Sequence, residues 1–334
     1  MSSPLARAVR SFNSFTKAAE DSAMRTIHAA ASGAAAAAAA ASGAAVPPAF
    51  YVAGTLVGIV PAFALEALCT APSDVFTVGP TGISINAALT TYEARSEAVA
   101  GVLAEWRAAR RFECLAGWRN ERYDVFGPDT TPLVAIERAA VGLFGVRTFG
   151  CHLNGYIRLP SPDPLASPAS SIRMWVARRS YKKPTNPGML DNIVGGGLPS
   201  GASPTPNIIK ESLEEAGIPA EIARHAVPVG ISSVWMYSPV RGVIPDTEYC
   251  YDLELDPAFV PSPADGEVHE FFLWDLPTVK KHIEAGEFTG EAGSVIVDFM
   301  IRHGFVTPES EPNYLEIVNE LRRPLIFPGP SHSH

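Results

Sequence analysis

A triple glycine followed by a helix of carboxylates constrains this chain more than any other feature. Gly195-Gly196-Gly197-Leu198 leads through a loop into Lys210-Glu211-Ser212-Leu213-Glu214-Glu215-Ala216-Gly217-Ile218. Glycine lets the backbone come close to a ligand or a side chain. Glu211, Glu214 and Glu215 lie three and four residues apart, so on a helix they share a face, where like charges repel by about 0.2–0.5 kcal/mol per pair. Gly217, with Pro219 just beyond, reads as a helix stop. Such a face is most often simply solvated. Here the glycine turn and the fixed helix end argue for a counter-charge, and the simplest is a divalent metal, because Mg2+ prefers carboxylate oxygens. Magnesium also bridges diphosphate oxygens, so the cluster points to hydrolysis or transfer at a diphosphate.

Composition narrows the class. The chain has 334 residues, 47% hydrophobic and 18% charged, enough for two modest domains around a sizeable core. A net charge of −9 with no basic block to offset it argues against a nucleic-acid binder. An anionic substrate then needs a local basic patch. Arg173, Arg178, Arg179, Lys182 and Lys183 supply one just ahead of the glycines, with a solvated strand end as the plain alternative. Cys69, Cys114, Cys151 and Cys250 are far apart and form no C-x-x-C pair. Neither a zinc site nor a disulfide framework is expected, which fits a reducing compartment.

Residues 1–46 form a distinct region. Arg7, Arg10 and Lys17 precede the first acid, Glu20, among serines, as in a mitochondrial or plastid transit peptide. An alanine run over residues 34–41 follows and reads as a low-complexity linker or disordered tail. It is too short for a stable isolated helix and too weakly apolar for a membrane span. Residues 50–60 read as two short strands about a glycine turn, residues 62–69 and 96–111 as helices. Residues 136–156 read as a helix, a glycine turn and a strand. Within them His152 is expected as a hydrogen-bonded core residue, with a ligand role as the alternative, and Arg147 as an ion-pair partner or a phosphate holder. Strands over 172–178, 247–255 and 270–274 alternate with helices over 207–216, 276–285 and 294–303. This is an α+β pattern with helices packed on a mixed sheet.

The glycine–glutamate segment resembles the Nudix box, G-x5-E-x7-R-E-U-x-E-E-x-G-U, with U a bulky apolar residue. Gly196, Glu211, Glu214, Glu215, Gly217 and Ile218 match it. Ala202, Lys210 and Ser212 replace its first glutamate, its arginine and an apolar residue. In the family that glutamate pairs with the arginine and braces the loop, so the brace is expected to be weakened while the metal-holding glutamates remain. The flanks Gly117-Trp118-Arg119-Asn120-Glu121, residues 136–156, Arg173 to Ser180, Gly188 to Gly197, Tyr251 to Leu255, Asp265-Gly266-Glu267-Val268 and Asp298 to Gly304 are similar to one group. These are fungal and plant Nudix enzymes related to the N-terminal half of fungal thiamine pyrophosphokinase, in which a domain of unknown function precedes the Nudix fold. The resemblance spans about residues 47–328. No kinase-like segment follows Pro324 in this sequence, so pyrophosphokinase activity is not expected.

The resemblance implies a disordered or transit-like tail over 1–46, a smaller α+β domain over 47–165 and a Nudix α/β/α sandwich with a mixed sheet over 166–328. It implies a diphosphatase dependent on Mg2+ or Mn2+, releasing phosphate and the monophosphate from thiamine diphosphate or its oxo and oxy analogues, a metabolite-repair reaction. Glu211, Glu214 and Glu215 are then the metal ligands, and Glu214 and Glu267 the catalytic carboxylates, with Glu270 a second choice to Glu267. Gly195, Gly196, Gly197, Arg178 and Lys182 are assigned to substrate. Removing Glu214 or Glu215 is expected to abolish turnover. Trp175, Trp235, Tyr237 and Trp274 are available to stack on a ring, with core packing as the alternative. The expected partner is a small-molecule diphosphate, with no nucleic acid and no membrane. The expected location is the cytoplasm, or a mitochondrion or plastid if the tail is a transit peptide. Two rivals stay open: hydrolysis of another diphosphate, such as an ADP-sugar or a dinucleotide, on the same fold, and a catalytically silenced binding module, as Ala202 suggests.

Overall fold

The computed structural model describes residues 2–31, 48–160 and 168–331. The first of these segments corrects the expectation of a disordered tail. The Ser3 hydroxyl accepts the Ala6 N–H at 3.0 Å and Pro4 occupies the first turn, which starts helix α1 (Pro4–Phe12). Leu5, Val9 and Phe12 fall on one face of that helix. They are buried in a core shared with Leu276, Ile283, Ile296 and Ile317. Arg10 pairs with Glu316 at 2.6 Å. Helix α2 (Lys17–Ala31) follows, held by a buried Glu20–Arg323 pair at 2.7 Å. The apolar residues of this segment are buried by elements far along the chain, which is why its composition alone read as a tail. The alanine run lies outside the described residues.

Short strands build the N-terminal unit. Strands β1 (Ala49–Val52) and β2 (Thr55–Ile59) form a hairpin over Ala53 and Gly54, both at positive φ, as a two-residue hairpin turn requires. Helix α3 (Ala62–Cys69) and strands β3 (Phe76–Gly79) and β4 (Gly82–Ile85) follow, giving a sheet of order β2-β1-β4-β3. Helix α4 (Tyr92–Ala108) packs on a separate hairpin, β5 (Arg122–Phe126) with β6 (Pro132–Glu137). Helix α5 (Val141–Phe144) closes the unit. Phe50, Phe76 and Phe144 stack with Leu103 and Ile136 in its core.

The larger sheet has the order β11-β12-β7-β8-β13. Its strands are β7 (Thr148–Arg158), β8 (Ile172–Arg179), β9 (Leu190–Asn192), β10 (Val194–Gly197), β11 (Val227–Ser238), β12 (Gly242–Glu254) and β13 (Val268–Asp275). Strand β7 pairs in parallel with β12 and antiparallel with β10 and β8. It therefore belongs to this sheet, although a boundary at 165/166 assigns it to the preceding domain. The switch between units falls near Thr148. Odd residues of β7, Cys151 and Leu153, pack beneath helix α6 (Pro204–Ala216) and helix α7 (Ala220–Ala223). The opposite face is covered by helices α8 (Leu276–Glu284), α9 (Gly290–Arg302) and α10 (Tyr314–Glu320). Helices thus flank a mixed sheet on both sides, an α+β arrangement.

Candidate active site

Helix α6 begins at Pro204 and ends at Gly217, whose φ is +64°. The Gly217 N–H donates to Leu213 O at 3.2 Å and the Ile218 N–H to Ser212 O at 2.9 Å, closing the helix end. Ser212 is buried, and its hydroxyl donates to Ile208 O at 2.6 Å, so a serine is accommodated where the box has an apolar residue. This register turns Glu211 and Glu215 toward β10. Glu215, 6% exposed, accepts the Gly195 N–H at 3.0 Å. A Cβ on Gly196 would stand 3.1 Å from the Glu211 carboxyl carbon, so the glycine leaves room for that side chain. Burial pushes Glu215 up to about 8. The Gly195 N–H and the Lys183 ammonium oppose the rise, and the charges of Asp191 and Glu211 add to it. Burial also raises Glu211. Glu214 lies apart: it is exposed and accepts from Lys210 Nζ at 2.5 Å.

Two crowded carboxylates beside a glycine strand suit a hard divalent cation. Magnesium commonly takes one or two protein carboxylates and completes its shell with water and substrate phosphate. Among the described residues no three His, Cys, Asp or Glu side chains converge tightly enough to enclose a metal by themselves. The fit is therefore that of an open site on Glu211 and Glu215.

Glu267, in the turn before β13, meets Glu215 across a cavity of about 10 Å³ that Gly195, Asp191, Arg179 and Lys183 also wall. That is room for about one water. Lys183 donates to Glu267. Burial alone would raise Glu267, but the Lys183 ammonium, with Arg119 and Arg138 further off, holds it below its ordinary value. Arg178 and Lys182 do not reach this place. Arg178 donates to Gly188 O at 2.9 Å, pairs with Glu270 at 3.3 Å and covers the Phe272 ring; Lys182 is exposed. Their neighbours Arg179 and Lys183 point inward instead, Arg179 meeting Asp191 at 2.6 Å. On β8 adjacent side chains alternate between faces, so within the basic cluster Arg179 turns inward and Arg178 does not.

The loop from Leu198 to Ser203, which lacks the box glutamate at Ala202, is held from the N-terminal unit. Asp124 on β5 accepts from Ser200 Oγ at 2.5 Å, from the Gly201 N–H at 3.0 Å and from the Tyr92 hydroxyl at 2.7 Å. The Ser200 N–H donates to Arg122 O at 2.8 Å. Gly197 lies so near this unit that a Cβ there would stand 1.6 Å from the Tyr123 hydroxyl. Sequence reasoning missed Asp124, because its partners lie in another unit.

A second cavity, of about 90 Å³, shares Gly195, Asp191 and Arg179 with the one beside Glu215. Its walls include His152, Gly195, Asp191, Asp246, Glu248 and Glu291, and also Arg138, Arg179 and Arg241. His152 is buried, its Nδ1 2.8 Å from Asn192 Oδ1 and its Nε2 3.6 Å from Glu248 Oε2. Asp246 accepts from the Thr148 hydroxyl at 2.8 Å. Burial, together with the neighbouring Asp246, raises Glu248 well above the usual carboxylate range. Among the described residues Arg147 neither pairs with an acid nor lines this cavity; it donates to Thr247 Oγ1 and Phe327 O. Trp175, Trp235, Tyr237 and Trp274 line neither this cavity nor the one beside Glu215. Trp235 stacks on Phe15 and Trp274 on Phe272.

Sequence relatives cover most of the chain. Residues 32–148 match a family described as a domain of unknown function, DUF4743. The chain is 33% identical over 292 residues to an uncharacterized protein of Saccharomyces cerevisiae, YJR142W, covering 82% of both chains. It is 37% identical over 263 residues to Nudix hydrolase 20, chloroplastic, of Arabidopsis thaliana, covering 75% of this chain and 66% of that one. A solved C. elegans Ap4A hydrolase aligns with 46% of this chain and 97% of its own, at 16% identity and a TM-score of 0.33. Among the described residues no helix is long and apolar enough to cross a membrane.

Proposed function

We propose that this chain, a member of the Nudix hydrolase family of pyrophosphohydrolases, is a Mg2+-dependent diphosphatase acting on thiamine diphosphate or its oxidised analogues. The observation that carries this reading is the meeting of Glu211 and Glu215 at Gly195 and Gly196, with Glu267 across a cavity one water wide. A divalent cation bound there supplies charge neutralisation at the diphosphate and a more acidic water. The protein's own groups have distinct tasks. Glu211 and Glu215 hold the cation, and the bare backbone of Gly195 to Gly197 lets the phosphates approach. Glu267 faces the water-sized space and is kept ionised by Lys183, as a group that orients or deprotonates the attacking water must be. Arg119 and Arg138, which the N-terminal unit contributes within electrostatic reach of Glu267, favour an anionic substrate.

A product assay tests this. Thiamine diphosphate and its oxo and oxy analogues, with Mg2+, are expected to release inorganic phosphate. ADP-sugars and dinucleotides would release a nucleoside monophosphate instead. Turnover of these alone would reject the thiamine assignment and keep the family one. The cytoplasm is the proposed location, because the residues that resembled a transit peptide build the core here: Leu5, Val9 and Phe12 would leave it exposed if cleaved away. Fractionation that recovers a chain shortened past Phe12 from an organelle would reject it.

A further inference from the structure

Most cations around the carboxylate site are matched by acids. Arg179 pairs with Asp191 at 2.6 Å, Lys183 donates to Glu267, and Arg138 meets Glu121 at 3.1 Å. Arg119 and Arg241 differ. Both are half-buried, and among the described residues neither guanidinium has an ion-pair or hydrogen-bond partner. Glu291 lines the 90 Å³ cavity beside Arg241 but forms no ion pair with it.

Both arginines line one cavity, of about 400 Å³, where the two units meet. Arg119 and Arg138 belong to the N-terminal unit, and Arg241 to the turn between β11 and β12. Burial raises the thiol of Cys114, another wall residue, to about 11, and the Arg241 charge opposes that rise. The Arg241 guanidinium is therefore on the cavity side. Burial lowers Arg119 from its ordinary value, and the like charge of Arg138 adds to this. Glu267 and Glu121 oppose the drop from nearby, but they pair with Lys183 and Arg138 instead. Glu113 is the one acid among the described wall residues, and it is exposed. Cations withdrawn from water without a partner are costly unless a counter-charge joins them.

We infer that this cavity is a metal-independent phosphate site, in which Arg119 and Arg241 hold a phosphate group from opposite units and Arg138 adds its charge. A guanidinium donates to phosphate oxygens in pairs. A phosphate presents more acceptor oxygens and more charge than a carboxylate, which suits guanidinia arriving from two sides. The cavity shares Thr185, Arg138 and Arg241 with the 90 Å³ one, which borders Gly195, so the phosphate site adjoins the carboxylate site through it. The phosphate is the terminal group of the substrate or the free ion that hydrolysis releases; its origin, unlike the site, rests on the diphosphatase reading above. The N-terminal unit then supplies half of a binding site.

Inorganic phosphate is the probe, titrated calorimetrically into the full chain after metal has been stripped and the protein desalted. Wild type is expected to bind saturably, and Arg119→Gln and Arg241→Gln each at least fivefold more weakly. Lys182→Gln, which removes an exposed cation outside the cavity, is expected to bind as wild type does. Thermal melts show which variants fold, and the two arginines lie in separate units, so either one alone suffices. No saturable binding by wild type, undiminished binding by a folded arginine variant, or an equal loss in Lys182→Gln overturns the inference. Phosphate inhibition of thiamine diphosphate turnover with Mg2+, relieved in Arg241→Gln, separates the two sources. Competition with substrate assigns the site to the substrate's terminal phosphate, and non-competitive inhibition to the released ion. No turnover of any diphosphate, with phosphate binding intact, would reject the diphosphatase reading and leave the phosphate site standing.

Discussion

Without a divalent cation, raising the pH should destabilise this fold, and Glu215 should carry about 3 kcal/mol of that loss between pH 5.5 and pH 8. In the folded chain this carboxyl keeps its proton up to about 8, whereas 4.5 is its ordinary value. Between those limits the native state binds the extra proton, so unfolding becomes easier with rising pH, by about 1.4 kcal/mol per unit. The contribution is fully present below about 4.5 and is gone above about 8. An interval of about two and a half units gives the 3 kcal/mol. Urea midpoints in EDTA, at both pH values, for wild type and Glu215→Gln measure it. Glutamine cannot titrate, so the variant should lose about 3 kcal/mol less than wild type. Asp246 and Glu248 are raised as well, but they are common to both proteins and cancel; Glu211, whose charge acts on Glu215, cancels only in part. Excess Mg2+ should shrink the gap, because a metal binds the ionised carboxylate and only in the folded state. Parallel pH profiles for the two proteins would refute the claim that Glu215 is buried against Gly195 as a proton-holding group.

Three other expectations follow from particular contacts. Leu5→Ala should cost about 3 kcal/mol by urea unfolding, because Leu5 is fully buried; a cost under about 0.5 kcal/mol would return α1 to the status of a tail. Gly197→Ala should cost about 2 kcal/mol, since the new methyl collides with the Tyr123 hydroxyl, and adding Tyr123→Phe should recover part of it, because the ring carbon Cζ, 2.7 Å from the methyl, stays too close. Asp124→Ala should lower stability by about 1–3 kcal/mol and cut kcat more than Ala202→Glu raises it. A large gain from near-zero activity on Ala202→Glu would instead identify a silenced module.

The catalytic helix was legible because its signals are local. Glutamates at helical spacing, a proline start and a glycine stop fix the register of α6 wherever it packs. What the spacing could not tell was which acids the sheet would cover: Glu211 and Glu215 meet β10, while Glu214 stays with Lys210. Which members of the basic cluster reach the site was hidden for a similar reason. Arg178 and Arg179 are adjacent on β8, and only the bond to Asp191 reveals which one turns inward. Glu248 lay in a strand whose acids alternate with Tyr249, Tyr251 and Leu253. That pattern reads as a wet face, yet β7 and the site around it close over it. The N-terminal helix carried a local signal, a Ser3 cap, Pro4 and apolar residues at helical spacing, which its composition obscured. Asp124 and the placement of β7 depend on partners distant in the chain, for which one sequence offers no cue.

Binding of Mn2+ to the full chain, followed by paramagnetic resonance with inorganic pyrophosphate present, tests the central claim most directly. Wild type is expected to bind the ion, and Glu211→Gln and Glu215→Gln to weaken binding at least tenfold while melting as folded proteins. Undiminished Mn2+ binding by both folded variants would place the cation somewhere other than the helix face that meets Gly195 and Gly196.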